Sequence, residues 1–555
     1  MRSGPEFIPF HAETPGTRSE RQRGDAIAFF AHSLQNPCVG LRDGTDLATA
    51  CTARTDDVCH DEFLPMPLTR TPRNPSGILA VSSVIFFSWI HCCSADFIVY
   101  RLPGSDKTIL LEGKAKNLGQ GVIEYTHPNL GSLAFSRDTA LVIKAPTRQE
   151  EFKKVFVQAR QSKEVADYLS AANLALRHGL LPEFRECCSE AYKLNPNDPT
   201  VVRLVEARRR IKRPLTDQES AADALREIVR LPSMKIALSD HYVLLHDTGD
   251  AKQGRRRKSR AEQRLELLEM VYESYFMKFA LDGVLLEPPQ ERMKVVLFGE
   301  ERDYLRYSTQ LDPRLRSALG FWSPTDNVAV FFDQGTTERM KVLEKRSREL
   351  QQEKMRARGT PLSKDTAHLA NTVELLVKLT REEDDIEVVS HEATHQLAGN
   401  TGLMPRGKIA LRWAHEGFAT YFETSSDAGW GGIGAVNEGR LKSYYRVSSD
   451  PNRAPIELLI SDLLFDVAQD TRQVADAYGQ AWALTHFLME RHFQQTVRYY
   501  QKISQLESES GSIPRRDLVK YFEEIFGDLK ALQVEWHEYM RSLKTDLERA
   551  RDAMN

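Results

Sequence analysis

A chain of 555 residues is too long for one hydrophobic core and implies roughly two to four domains. A formal charge of −3 with 28% charged residues leaves no case for a general nucleic-acid binder or an anionic-membrane binder. The seven cysteines all lie at or before Cys188, so the chain beyond it has neither a disulfide framework nor a thiolate metal site. Cys187 and Cys188, neighbours in a helical pattern, read as small apolar residues rather than a redox pair.

Residues 1–65 mix Pro, Gly, Arg and Asp without a sustained period, which reads as a disordered or mis-annotated leader. Residues 66–95 carry the three parts of a signal peptide: basic Arg70 and Arg73, the apolar run Ile78 to Ile90, and small Ser94 and Ala95. The run is too short to span a bilayer comfortably, so no stable membrane span is expected. On this reading translation starts at Met66, cleavage follows Ala95, and the protein is periplasmic, envelope-associated or secreted. The competing reading is a buried core segment of a cytoplasmic protein.

Residues 96–145 change to short alternating runs: Thr108 to Gly113, Gly121 to Tyr125 and Thr139 to Ile143, separated by Gly-containing turns. They predict a small antiparallel β module, sheet-like or barrel-like, that binds or packs rather than catalyses. Residues 146–232 are helical. Within them Ala171 to Pro199 has the form of one tetratricopeptide-type hairpin, although a single copy falls short of a stable array and a plain helical linker fits equally. These two modules are where a protein partner would bind. Residues 233–555 begin with strands at Tyr242 to His246, Met293 to Phe298 and Asn327 to Phe332, interleaved with helices at Ser259 to Leu281 and Glu300 to Leu311. The basic turn Arg255 to Lys258 has no interleaved aromatic residues and reads as solvated, so no nucleic-acid partner is expected. Glu338 to Arg358 reads as a charged, solvent-facing helix. From Ala367 the pattern is almost wholly helical, which makes the fold class α+β.

The chemistry concentrates in Val388-Val-Ser-His391-Glu392-Ala-Thr-His395, which has the form H-E-x-x-H. On a helix the two imidazoles fall one turn apart on one face and can share a metal ion, with Glu392 about 100° round from His391. Thr380-Arg-Glu-Glu383 has the form of a capping box, with Asp384 and Asp385 adding negative charge at a helix start. Gly399-Asn400-Thr-Gly402 supplies the stop. A second helical pattern follows: Arg412-Trp413-Ala414-His415-Glu416-Gly417-Phe418-Ala419-Thr420-Tyr421-Phe422-Glu423.

H-E-x-x-H followed by W-x-x-E-G-x-A-x-Y-x-E resembles the gluzincin metallopeptidases, and most closely a bacterial peptidase-MA-like family whose function is largely unassigned. The metzincin pattern fails, because Ala398 and Thr401 stand where it needs Gly and His. The resemblance implies a zincin-like domain: a small twisted sheet, the H-E-x-x-H helix, and a mainly helical C-terminal subdomain. It implies one Zn2+ per chain, held by His391, His395 and Glu416, with Glu392 as the general base of peptide-bond hydrolysis. Glu423, two turns past Glu416, is either an acceptor behind a ligand histidine or an ordinary helix-face charge. Ala477-Tyr478-Gly479-Gln480-Ala481-Trp482 resembles the gluzincin helix whose tyrosine donates to an oxyanion, which gives that role to Tyr478; His486 is the alternative donor or a core residue. His415 departs from the family pattern and receives no role. Asn327 to Asp333, with its poor alternation, is the expected edge strand for substrate backbone. The absence of a G-x-M-E-N signature favours an endopeptidase acting on a peptide or protein over an aminopeptidase. The alternatives are a catalytically weak, zinc-binding envelope scaffold and a non-peptidase hydrolase using the same site.

Overall fold

The computed structural model describes residues 8–11, 95–101, 108–117, 121–215, 219–250, 258–360, 363–404, 406, 411–506 and 513–552. The signal-like segment up to residue 94 and the basic turn at 255–257 lie outside the described residues. Within the leader, read as irregular, one strand is present: β1 (Ile8–His11).

Strands β2 (Ala95–Arg101), β3 (Thr108–Asn117), β4 (Val122–His127), β5 (Gly131–Ser136) and β6 (Ala140–Ala145) form an antiparallel sheet in the order β5-β4-β3-β2-β6. Among the described residues no ladder joins β5 to β6, so the module is an open sheet and not a closed barrel. Period-2 alternation turns Ile98, Tyr100, Ile123, Tyr125 and Phe135 inward. That face is covered by Leu375 and Leu379 of the helix Ser363–Asn400, so the sheet braces the histidine-bearing helix directly.

Four helices follow: Arg148–Ser162, Val165–Arg177, Leu181–Leu194 and Pro199–Ile211. Ala171, Ala172 and Ala175 allow the second to pack closely on Phe184, Cys187 and Ala191 of the third, and Cys187 is buried. Their apolar stripe merges with the main core through the helix Arg260–Leu281.

The central sheet contains β7 (Lys235–Leu238), β8 (Tyr242–His246), β9 (Met293–Phe298), β10 (Ala318–Ser323) and β11 (Val328–Phe332). Its order is β1-β10-β11-β9-β8-β7, parallel between β11, β9 and β8 and antiparallel elsewhere. Val243, Leu245, Val296, Phe298, Val330 and Phe332 face one way, towards helices Glu219–Val229 and Glu301–Leu311. Leu244, Val295, Leu297, Ala329 and Phe331 face the other, towards Arg260–Leu281 and Ser363–Asn400. β11 is therefore internal, which corrects its expected place at the edge. Its poor alternation reflects burial on both faces, as for any central strand under two helical layers. The strand outside it is β10, and β1 pairs with β10 in antiparallel register, Phe10 opposite Gly320.

The histidine helix, Ser363–Asn400, begins well before the expected capping box at Thr380. Leu369, Ala370, Val373 and Val377 bury against Leu350 of the helix Glu338–Arg356, and this contact carries the helix past its local start signal. Asp385 serves in ion pairs with Arg260 and Arg264 and accepts from the Gln334 backbone N–H at 3.0 Å. The helix ends at Asn400, close to Gly402 at φ +76°, as the Gly-Asn-Thr-Gly run indicates. Gln396 clamps it to the sheet, donating to Lys294 O at 3.0 Å and to Asn327 O at 3.1 Å. The class is α+β, and among the described residues no helix is long and apolar enough to cross a membrane.

Glu490 ties three helices together: Arg177 lies 2.8 Å away, Lys278 3.9 Å, and the Tyr421 hydroxyl donates to it at 2.6 Å. Burial alone would raise its pKa, but the charges of Lys278 and Arg177 outweigh it and hold the group at about 2. A carboxylate depressed on folding stabilises above its unfolded pKa of 4.5 and loses that contribution as pH falls towards 2. Urea titrations from pH 5 to pH 3 should therefore show wild type losing stability on the order of 1–2 kcal/mol more than Glu490→Gln.

Candidate metal centre

The second ligand-bearing helix, Arg412–Glu423, lacks a capping side chain at Leu411. Asp462 supplies one from elsewhere, accepting from the Arg412 and Trp413 backbone N–H groups at 2.7 and 2.9 Å. Helix Thr471–Arg491 crosses this element at Gly417, where a Cβ would stand 2.3 Å from Thr485 Oγ1 and 2.6 Å from Ala481 O. The Glu-Gly pair of the motif thus serves two ends: Glu416 belongs to the group that can hold a metal ion, and Gly417 lets the helix Thr471–Arg491 approach. Gly417→Ala should cost about 1–3 kcal/mol by overpacking against backbone that has no rotamer to yield, read as a lower urea midpoint.

At the resulting junction His391, His395 and Glu416 converge, exposed by only 0%, 1% and 4%. His391 Nε2 lies 3.1 Å from Glu416 Oε2 and 3.1 Å from His395 Nε2, and His395 Nε2 lies 3.7 Å from Glu416 Oε2. Ligand atoms held about 2.0–2.1 Å from a tetrahedral zinc stand roughly 3.3 Å apart, so these separations fit one ion. Two imidazoles and a carboxylate are also a suitable donor set for a divalent metal. The group can hold a metal ion.

Behind His391, Glu423 Oε2 lies 2.8 Å from Nδ1, so Glu423 is a buried partner of a histidine of the cluster rather than a surface charge. Its other oxygen accepts from Arg440 Nε at 3.1 Å and Nη2 at 2.9 Å. Burial pulls the His391 pKa down, but the hydrogen bonds and charges of Glu416 and Glu423 push it up to about 9. Burial would raise Glu416, and its bonds to His391 and His395 hold it well below the ordinary carboxylate range. Glu423 is likewise depressed, with Arg440 and His391 outweighing burial. Burial lowers His395.

Glu392 is fully buried on the same helix. β10 passes close beneath it, since a Cβ on Gly320 would lie 3.2 Å from Glu392 Cγ and 2.7 Å from Val388 Cγ1. Tyr478 joins the group. Its phenol hydrogen-bonds Glu416, and burial, reinforced by the Glu416 charge, raises its pKa far above the ordinary value. The Arg440 guanidinium lies over the Tyr478 ring at 5.2 Å, so one arginine braces both Glu423 and the tyrosine. His486 lies apart in a structural role, facing Gly434 O at 2.9 Å and the Tyr539 hydroxyl at 2.8 Å.

Two members were not found from sequence. Arg440 lies 17 residues beyond Glu423 on the helix Glu438–Ser448, and no local pattern connects them. His415 did carry a signal, since it breaks the family pattern next to Glu416. Its Nδ1 lies 2.9 Å from His395 Nδ1, and burial with the His395 charge lowers its pKa to about 3.

No curated protein and no solved structure matches the chain. Residues 385–508 match the model of a family described as a protein of unknown function (DUF1570), a stretch that contains His391, Glu392, His395, Glu416 and Tyr478.

Proposed function

We propose that the chain is a zinc-dependent peptide hydrolase of gluzincin type, with a zincin-like arrangement of sheet and active helix. The observation that carries this reading is the convergence of His391, His395 and Glu416 within 3.1–3.7 Å of one another, with Glu392 on the same helix as the histidines. Zinc held by these three side chains would supply Lewis acidity, polarising a scissile carbonyl and lowering the pKa of a water beside it. Glu392 accepts the proton of that water and returns it to the departing amine nitrogen. Tyr478, kept protonated by its buried setting, donates to the oxygen that gains charge as the carbonyl becomes tetrahedral. Glu423 accepts from His391 Nδ1–H, which leaves Nε2 its lone pair for the ion.

The strand offered to substrate is β10 rather than β11. It is the outermost strand on that side apart from β1, and Gly320 brings it against Glu392. The antiparallel pairing of Ile8–His11 with it supports an edge that accepts extended backbone, and a substrate would take that place. The test is cleavage of a diverse peptide library by zinc-loaded protein, with chelated protein as the control and products read by mass spectrometry. Metal-dependent products support the proposal. Tight zinc binding without any product would favour the scaffold reading instead.

A further inference from the structure

His391 and His395 need the same protonation to bind one ion, with Nε2 bare and the proton on Nδ1. For His391 the partner that takes the Nδ1 proton is Glu423, at 2.8 Å. Among the described residues, the equivalent atom of His395 faces no carboxylate. It faces His415 Nδ1 at 2.9 Å, with the two rings 4.8 Å apart between centroids and inclined by 29°.

Two imidazole nitrogens at that distance share a single proton, one donating and the other accepting. Were His415 the donor, the proton of neutral His395 would sit on Nε2, which points at His391 Nε2 and Glu416, and His395 could not be a ligand. We propose that His415 is a positioning residue that accepts the His395 Nδ1–H and so fixes the metal-binding tautomer of that ligand. The inference rests on the metal reading above.

The surroundings hold His415 in the orientation this requires. It is buried, and its ring runs parallel to Trp322 at 6.4 Å and 17°. Trp322 is itself fixed: its indole N–H donates to Asn327 Oδ1 at 3.3 Å, and Gly399 of the histidine helix leaves room for its ring, where a Cβ would stand 2.3 Å away. The ligand histidines thus have different supports. A carboxylate backs His391, and an imidazole, adding no negative charge when neutral, backs His395.

Two substitutions separate hydrogen bonding from packing. His415→Phe keeps a flat ring between His395 and Trp322 but removes the acceptor. His415→Asn discards the ring but offers a carboxamide oxygen near the lost Nδ1. Zinc is titrated into metal-free wild type and both variants by calorimetry, after circular dichroism shows that each is folded. The expected result is a 10- to 100-fold weaker zinc affinity for His415→Phe, about the cost of losing such a supporting bond, with His415→Asn close to wild type. Wild-type affinity in His415→Phe would overturn the proposal. So would equal losses in both variants, which would assign His415 to packing. Wild type that takes up no zinc would overturn the metal reading itself, and this inference with it.

Discussion

Glu392→Gln is expected to keep its metal and to lose peptide cleavage by about 10²–10⁴-fold, the usual contribution of a positioned general base. The amide has the shape of the carboxyl group and cannot take a proton from water at neutral pH. Glu392 is fully buried, and the neutral side chain is cheaper to bury than the charged one, so folding should be unharmed. It is also not among the three converging ligands, so zinc affinity should stay close to wild type. Turnover falling with metal content unchanged is the signature to look for. Undiminished turnover would assign the activity to another site or to a contaminant.

His395→Ala should have the opposite signature and lose the ion itself. Protein sites of this kind hold zinc with on the order of 10 kcal/mol of apparent free energy, of which one ligand in three carries several. Its loss should weaken binding by about 10³-fold, and equilibrium dialysis at micromolar zinc would then find little metal bound. The fold should survive, because His391 keeps Glu423 at 2.8 Å and Glu416 at 3.1 Å on its two nitrogens. The deleted imidazole does leave a cavity beside His415, so a modest fall in the urea midpoint is expected as well.

What could be read from the chain follows the range of the interactions involved. His391, Glu392 and His395 are legible because a helix converts spacing into a shared face, and Gly402 marks the end of that helix locally. Strands β8, β9 and β11 are legible as apolar runs, but position in a sheet is not written in a run. Burial on both sides of β11 looks in sequence like the loose pattern of an edge. β10, Ala318-Leu-Gly-Phe-Trp-Ser323, is hard to see in sequence because Gly320 weakens the local strand signal, and that glycine lies where the histidine helix crosses over the strand. The same conflict hid the start of the histidine helix. Thr380 to Glu383 is a locally sound cap, overridden by contacts with Leu350 and with the inner face of the N-terminal sheet. The N-terminal sheet reads in sequence as a module that binds or packs, and what it packs on is set by tertiary contact: its inner face closes on Leu375 and Leu379 of the histidine helix, so the support for the site extends back to residue 98. Arg440 and His415 act through geometry between helices and become visible only when Glu423 and His395 are in place.

The central claim is a three-ligand metal centre, and calorimetric titration of the metal-free wild-type chain with zinc tests it most directly. One equivalent binding with sub-micromolar affinity is predicted, abolished in His395→Ala and retained in Glu392→Gln. A folded wild-type chain that binds no zinc at those concentrations, or binds it equally well without His395, would contradict the account.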